Sequence, residues 1–187
     1  PTTHRDHCSS ITVLTGHEQP GKTGSAINWA HVASEPGTKI VLMGIERLRK
    51  ITEQLLEHKL SAETPAALIR WGTTGRQQTL TGTLGDIADT AEKEKFEAPA
   101  IIIVGGVVGL REKLRWFDQK PLFGQRVVVT RTRQQASALT AQLTELGADV
   151  LEIPTIKITE PDDKEQLKDG LLGLGSYQWL VFTSPNG

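Results

Sequence analysis

A single cysteine, Cys8, stands among 187 residues, so no intramolecular disulfide can form and a reducing cytoplasm is the expected compartment. Charge of one sign is also missing. Twenty-one Lys and Arg against 22 Asp and Glu leave a net charge of −1, which provides no bulk field to recruit nucleic acid or a membrane surface. No apolar run nears the ~20 residues of a membrane-spanning helix. The longest, Ala98 to Val104, contains Pro99 and reads as a buried strand. Internal repeats and low-complexity tracts are absent. What remains is 37% hydrophobic and 23% charged, an ordinary balance for a globular chain with room for one large domain or one domain and part of another. The chain opens on Pro1 and closes on Ser184-Pro185-Asn186-Gly187 after an apolar run, and both ends read as cuts within a longer protein.

Short β-rich runs alternate with helical stretches. Strands are expected at Ile11–Thr15, Lys39–Met43, Ala67–Trp71, Gln78–Thr83, Ala100–Val104, Arg126–Thr130, Asp149–Glu152, Ile156–Ile158 and Trp179–Phe182. Most are β-branched and bounded by Gly or Pro, which predicts burial on both faces. A helix is expected over Ser25–Ala33. Apolar spacing near 3.6 predicts others over Glu46–Lys59 (Leu48, Ile51, Leu55, Leu56), Thr83–Phe96 (Leu84, Ile87, Ala88, Ala91) and Arg133–Leu146 (Ala136, Leu139, Leu143, Leu146). Leu110–Phe117 reads as a further charged helix, and Gly147 suits a helix C-terminus. The alternation predicts an α/β architecture. A domain boundary is expected in Asp118–Gly124, where Pro121 cannot continue a helix and Gly124 marks a turn into a new strand.

Residues 16 to 23, Gly-His-Glu-Gln-Pro-Gly-Lys-Thr, satisfy the phosphate-loop pattern G-x-x-x-x-G-K-[ST] between a strand and a helix. Such a loop works by aiming successive backbone N–H groups at phosphate oxygens. Pro20 removes one donor, and Glu18 puts an anion where anions should bind. No strand ending in a magnesium-binding aspartate follows, because Ile101–Val104 runs into Gly105-Gly106. A solvated connecting loop is the better reading, with nucleotide binding as the alternative. His4, Asp6, His7 and Cys8 are dense in ligand-type groups, but neighbours on an extended chain point in different directions, and no second ligand pair completes a zinc site. No metal is expected.

Several phrases in one register carry further. Thr3-His4-Arg5, Ser9-Ser10-Ile11-Thr12-Val13-Leu14-Thr15-Gly16-His17-Glu18, Val41-Leu42-Met43-Gly44, Trp71-Gly72-Thr73-Thr74, Gly82-Thr83-Leu84, Ile103-Val104-Gly105-Gly106-Val107-Val108 and Leu110-Arg111-Glu112-Lys113-Leu114 resemble the second domain of uroporphyrinogen-III C-methyltransferases, over residues 1 to about 117. Arg126-Val127-Val128-Val129-Thr130-Arg131-Thr132-Arg133, Pro154-Thr155-Ile156 and Tyr177 to Gly187 resemble the opening of uroporphyrinogen-III synthase. Gly106 departs from the first family, whose members often carry a larger residue there.

This resemblance implies a methylase C-terminal domain with a mixed sheet and flanking helices over 1–119, then a partial flavodoxin-like βαβ unit over 120–187. It implies transfer of the S-adenosyl-L-methionine methyl to uroporphyrinogen III, giving precorrin-2 on the route to sirohaem and cobalamin, joined to closure of a linear tetrapyrrole. It assigns Met43 and Gly72 to the cofactor, with Thr73 and Gly105 as further candidates for lining that pocket, and Arg5 to tetrapyrrole carboxylates; in the synthase part Thr130 and Arg131, at a strand's carboxyl end, and Ser184 and Asn186, opening a helix, are the substrate candidates. A glycine lets backbone approach a ligand, a thioether adapts to one, and a guanidinium pairs with carboxylates. The family's methylases are homodimers, so a dimer through this part is expected. The glycine-rich cofactor loop and proton-handling residues of that family lie in a domain outside this chain, so no catalytic residue is assigned and the chain alone is expected to be inactive. A non-catalytic binding or dimerisation module is the second alternative.

Overall fold

The structure, a computed structural model, describes residues 1–17, 25–131, 133–155, 157, 159 and 162–183. Five of its strands form one mixed sheet: β1 (Ile11–Thr15), β2 (Thr38–Leu42), β3 (Pro65–Arg70), β4 (Gln78–Thr83) and β5 (Ala100–Val104). Their order is β1-β2-β5-β3-β4. β1 and β2 are parallel, while β5 runs antiparallel to both β2 and β3. Register puts Val41, Ile102 and Leu68 side by side across the three central strands, and all three are fully buried.

Helices α1 (Trp29–Ser34), α2 (Leu48–Glu57) and α3 (Ile87–Lys93) supply the other half of this core. α2 buries Leu48, Ile51 and Leu55, the stripe its spacing predicts, together with Thr52. α3 buries Ile87, Ala88 and Ala91. Asn28 begins α1 by accepting the His31 N–H at 3.0 Å, which satisfies one of the orphan donors of the first turn. α1 therefore starts four residues later than Ser25. The opposite sheet face is less covered: Val13 is 59% exposed and Ile11 42%. Burial on both faces holds for the central strands and not for β1, which is an edge.

After a 3-10 turn and the short α4 (Arg111–Leu114), the chain enters a second sheet of two parallel strands, β6 (Arg126–Val129) and β7 (Asp149–Glu152), joined by α5 (Arg133–Glu145). Gly147, with φ of 96°, ends the crossover as expected. The stripe predicted for α5 is not buried as foreseen. Leu139 and Leu146 are 39% and 44% exposed, because two strands give a helix too narrow a surface to cover. Ala136 lies outside the described side chains.

α6 (Lys164–Leu172) follows, its first turn capped by Asp163, which accepts the Gln166 N–H at 2.9 Å. The expected strand Trp179–Phe182 is coil with no sheet partner among the described residues, and its side chains are 60–85% exposed. A strand's hydrogen bonds come from a neighbour, and neither β6 nor β7 pairs with this run. Residues 156 and 158 of the other expected strand are outside the described set. None of the described helices is long and apolar enough to cross a membrane.

Candidate functional site

Because β5 is antiparallel to its neighbours, the carboxyl ends of β2 and β3 meet the amino end of β5. Arg70 pairs with Ala100, and Val41 with Ile102. Three connecting segments converge there: Met43-Gly44 after β2, Trp71-Gly72-Thr73 after β3, and Ala98-Pro99 before β5. They enclose a cleft of about 730 Å³ with largely aliphatic walls from Leu42, Ile45, Ile69 and Ile101, and with His17 and Glu46 among its few polar groups.

The rim is made from unusual backbone. Met43, Trp71 and Thr73 have φ of 52°, 49° and 60°, a region costing about 1–2 kcal/mol for L-residues. Such conformations persist where surrounding contacts fix them. Thr73 N–H donates to Gln77 Oε1 at 2.8 Å, and the Trp71 carbonyl accepts from both Thr74 N–H (3.2 Å) and Thr74 Oγ1 (2.8 Å). Behind Met43, Gly16 N–H donates to the Leu42 carbonyl at 2.7 Å. A Cβ on Gly16 would lie 2.5 Å from Gly44 Cα, so two glycines are what let these backbones touch.

Arg70 ties two rims together. Its guanidinium donates to the Ala98 carbonyl at 2.9 Å and stands 3.9 Å from the Trp71 ring centroid. Gly72 differs from the other rim glycines. A Cβ there would meet only Ile69 at 3.4 Å and Gln77 at 3.9 Å, both ordinary contacts, so protein packing does not demand glycine at this position.

The expected cofactor residues Met43 and Gly72 line this cleft, and Thr73 adjoins it. Gly105 does not. It follows the far end of β5, where its N–H donates to the Pro65 carbonyl at 2.8 Å, a strand's length from Ala100. Arg5 belongs to that far end as well, in an exposed turn between His4 and Cys8, whose thiol contacts Thr38 Oγ1 at 3.1 Å. Thr130 and Arg131 are exposed at the carboxyl end of β6, apart from both. Ser184 and Asn186 lie outside the described residues, as does most of the phosphate-loop match, residues 18–23. Sequence reasoning had not singled out Trp71, His17, Glu46 or Ala98-Pro99. A tryptophan directly before the Gly72 turn was the one available signal.

Comparison with known proteins points to two families. The profile for Tetrapyrrole (Corrin/Porphyrin) Methylases matches residues 1–88, and that for Uroporphyrinogen-III synthase HemD matches residues 137–187. The porphyrin biosynthesis protein HemD of Ruminiclostridium josui is 36% identical over 187 residues, all of this chain and 37% of that protein. The chain is similar to tetrapyrrole methylases in its first part and to uroporphyrinogen-III synthase in its last.

A uroporphyrinogen-III C-methyltransferase of Bacillus subtilis is 32% identical over 98% of the chain and 37% of its own length. The chain thus spans little more than a third of these relatives. Among solved structures, the uroporphyrin-III C-methyl transferase of Thermus thermophilus complexed with S-adenosyl homocysteine aligns with 59% of this chain and 48% of its own, with a TM-score of 0.51 and 25% identity. The mixed sheet is therefore that of the methylase segment, and the cleft belongs to it.

Proposed function

We propose that the methylase segment supplies one wall of an S-adenosyl-L-methionine site for methylation of uroporphyrinogen III to precorrin-2. The synthase segment would be the opening unit, flavodoxin-like, of the enzyme that closes the linear tetrapyrrole. The proposed boundary between them lies at residues 119 and 120. One observation carries the cofactor reading: Gly72 faces a cleft whose packing leaves its Cβ position free, between residues held in strained conformations. Space kept open at a cost in backbone energy is space for a ligand.

The cleft suits this cofactor. Its aliphatic walls accept a purine, and Glu46 and the backbone groups of Met43, Gly72 and Thr73 offer hydrogen-bonding partners for ribose and amino-acid parts. When bound, the cofactor supplies an already electrophilic methyl on a sulfonium. The chain's residues bind and orient it, and exclude water with Leu42, Ile69 and Ile101. Arg5, Thr130 and Arg131 stand outside this wall, and their proposed role toward tetrapyrrole carboxylates is separate from it. A homodimer through the methylase segment and a cytoplasmic setting complete the proposal.

Met43 is the only methionine, so its methyl group is an unambiguous reporter. In the ¹³C-methyl-labelled chain, millimolar S-adenosylhomocysteine is expected to shift this signal, and Gly72→Val to abolish the shift while leaving the spectrum folded. A Met43 signal that ignores the ligand in the unsubstituted chain sinks the reading.

A further inference from the structure

Beyond the junction itself, where Phe123 meets Phe117 and Lys120 lies over Trp116 and Phe117, the described residues of the two segments touch at the turn that forms the cleft's rim. Gly75 lies against the start of β7: a Cβ there would overlap the Asp149 nitrogen and fall 2.5 Å from the Ala148 carbonyl carbon. The Gly75 carbonyl accepts the Gly124 N–H at 3.2 Å. Next to it, Arg76 Nε stands 3.4 Å from Asp149 Oδ1, while Arg126 Nε donates to the other carboxylate oxygen at 2.7 Å. The Asp149 carboxylate is mostly shielded, at 21% exposure, which lessens the solvent screening of both pairs.

The same turn reaches the cleft within two residues. The Arg76 guanidinium lies 4.8 Å from the Trp71 ring centroid, and Arg76 N–H donates to Thr74 Oγ1 at 3.3 Å. Gln77, whose side chain fixes Thr73, itself donates its N–H to the Thr74 carbonyl at 3.0 Å. Internal hydrogen bonds shape the turn, but left-handed residues at 71 and 73 need external support to persist. Gly75 and Arg76 are where that support arrives.

We propose that the synthase segment clamps the methylase cleft: Asp149 and the backbone of residues 147–149, docked on Gly75 and Arg76, hold Trp71, Gly72 and Thr73 in the shape that receives the cofactor. Gly75, Arg76 and Asp149 are positioning residues. The clamp makes the two segments thermodynamically linked, since whatever loosens one end of the turn loosens the other. Only its consequence for cofactor affinity rests on the cleft reading above.

Amide hydrogen exchange in the 187-residue chain tests the clamp without any ligand. In Asp149→Ala and Gly75→Ala, exchange at the Thr73, Thr74 and Gln77 amides is expected to rise about ten-fold, with the Leu68 amide unchanged. Asp149→Asn, which keeps an acceptor for Arg126, should recover part of the protection. In parallel, the S-adenosylhomocysteine midpoint read at the Met43 methyl is expected to rise about five-fold or more. Faster exchange confined to residues 75–76 and 147–149, with Thr73 unmoved, overturns the proposal. The two readings fail separately. If Gly72→Val leaves the titration intact while Asp149→Ala speeds Thr73 exchange, the cofactor reading falls and the clamp stands. If Gly72→Val abolishes the titration and neither docking variant moves Thr73 exchange or the midpoint, the reverse holds.

Discussion

Met43, Trp71 and Thr73 adopt a backbone conformation that glycine and asparagine favour, yet none of the three is either residue. Nothing in their side chains announces it, which is why Met43 and Gly72 were legible only as parts of longer family phrases and Trp71 was not singled out at all. Gly105 shows the converse. Its phrase was legible, but which end of the sheet it occupies depends on β5 running antiparallel to β2, and spacing along the chain does not encode that. Lys39 is another residue whose situation is tertiary. It is 4% exposed, with Nζ donating to the carbonyls of Glu35 (2.5 Å) and Gly37 (3.2 Å). Burial lowers its pKa below 10.5, against the opposing pull of Glu35 and Cys8. The unfolded chain then holds this proton more tightly than the folded one, so the contribution is complete above 10.5 and is lost as pH falls through the folded value. Denaturation followed across alkaline pH should show stability rising toward 10.5, and a flatter profile in Lys39→Met.

Among the elements, Ile11–Thr15, Gln78–Thr83, Ala100–Val104 and Asp149–Glu152 appear where β-branched runs between Gly and Pro predict strands. These succeed because each finds a partner. Trp179–Phe182 is also rich in strand-forming residues but has no partner among the described residues, so local propensity alone leaves it coil. α6 was not expected from the sequence: Gly170 stands inside it, and although Leu167 and Leu171 are spaced for one face, they and Leu172 remain 51–77% exposed. The central row of the large sheet bears the most packing. Leu68 is fully buried among Val41, Ile102 and the helices above, with no mobile edge to collapse into a void. Leu68→Ala is expected to cost about 2–5 kcal/mol in urea unfolding monitored by circular dichroism, and a loss well under 1 kcal/mol would contradict this account of the core.

At the scale of the whole chain, the alternation of strand and helix patterns pointed to an α/β protein, and Pro121 and Gly124 were the signals for a proposed seam. That the seam is folded back against Gly75 was not legible, because a glycine required by contact looks no different in sequence from one required by a turn. The direction of β6 and β7 at that seam has a kinetic consequence. Parallel strands share an orientation, so the ends docked on the methylase segment, Arg126 and Asp149, are the amino ends, and Thr130 and Arg131 emerge at the other. A strand of this length puts them about 13 Å from the seam. If the proposed activities hold and the synthase works at its strands' carboxyl edge, as open α/β sheets do, its product is expected to leave on the side remote from the cleft and to mix with the surrounding pool before methylation. In the full-length enzyme supplied with labelled linear tetrapyrrole, an added unlabelled pool of uroporphyrinogen III should dilute the label in precorrin-2 in proportion to its size. Label retained against that pool would mean the intermediate never leaves.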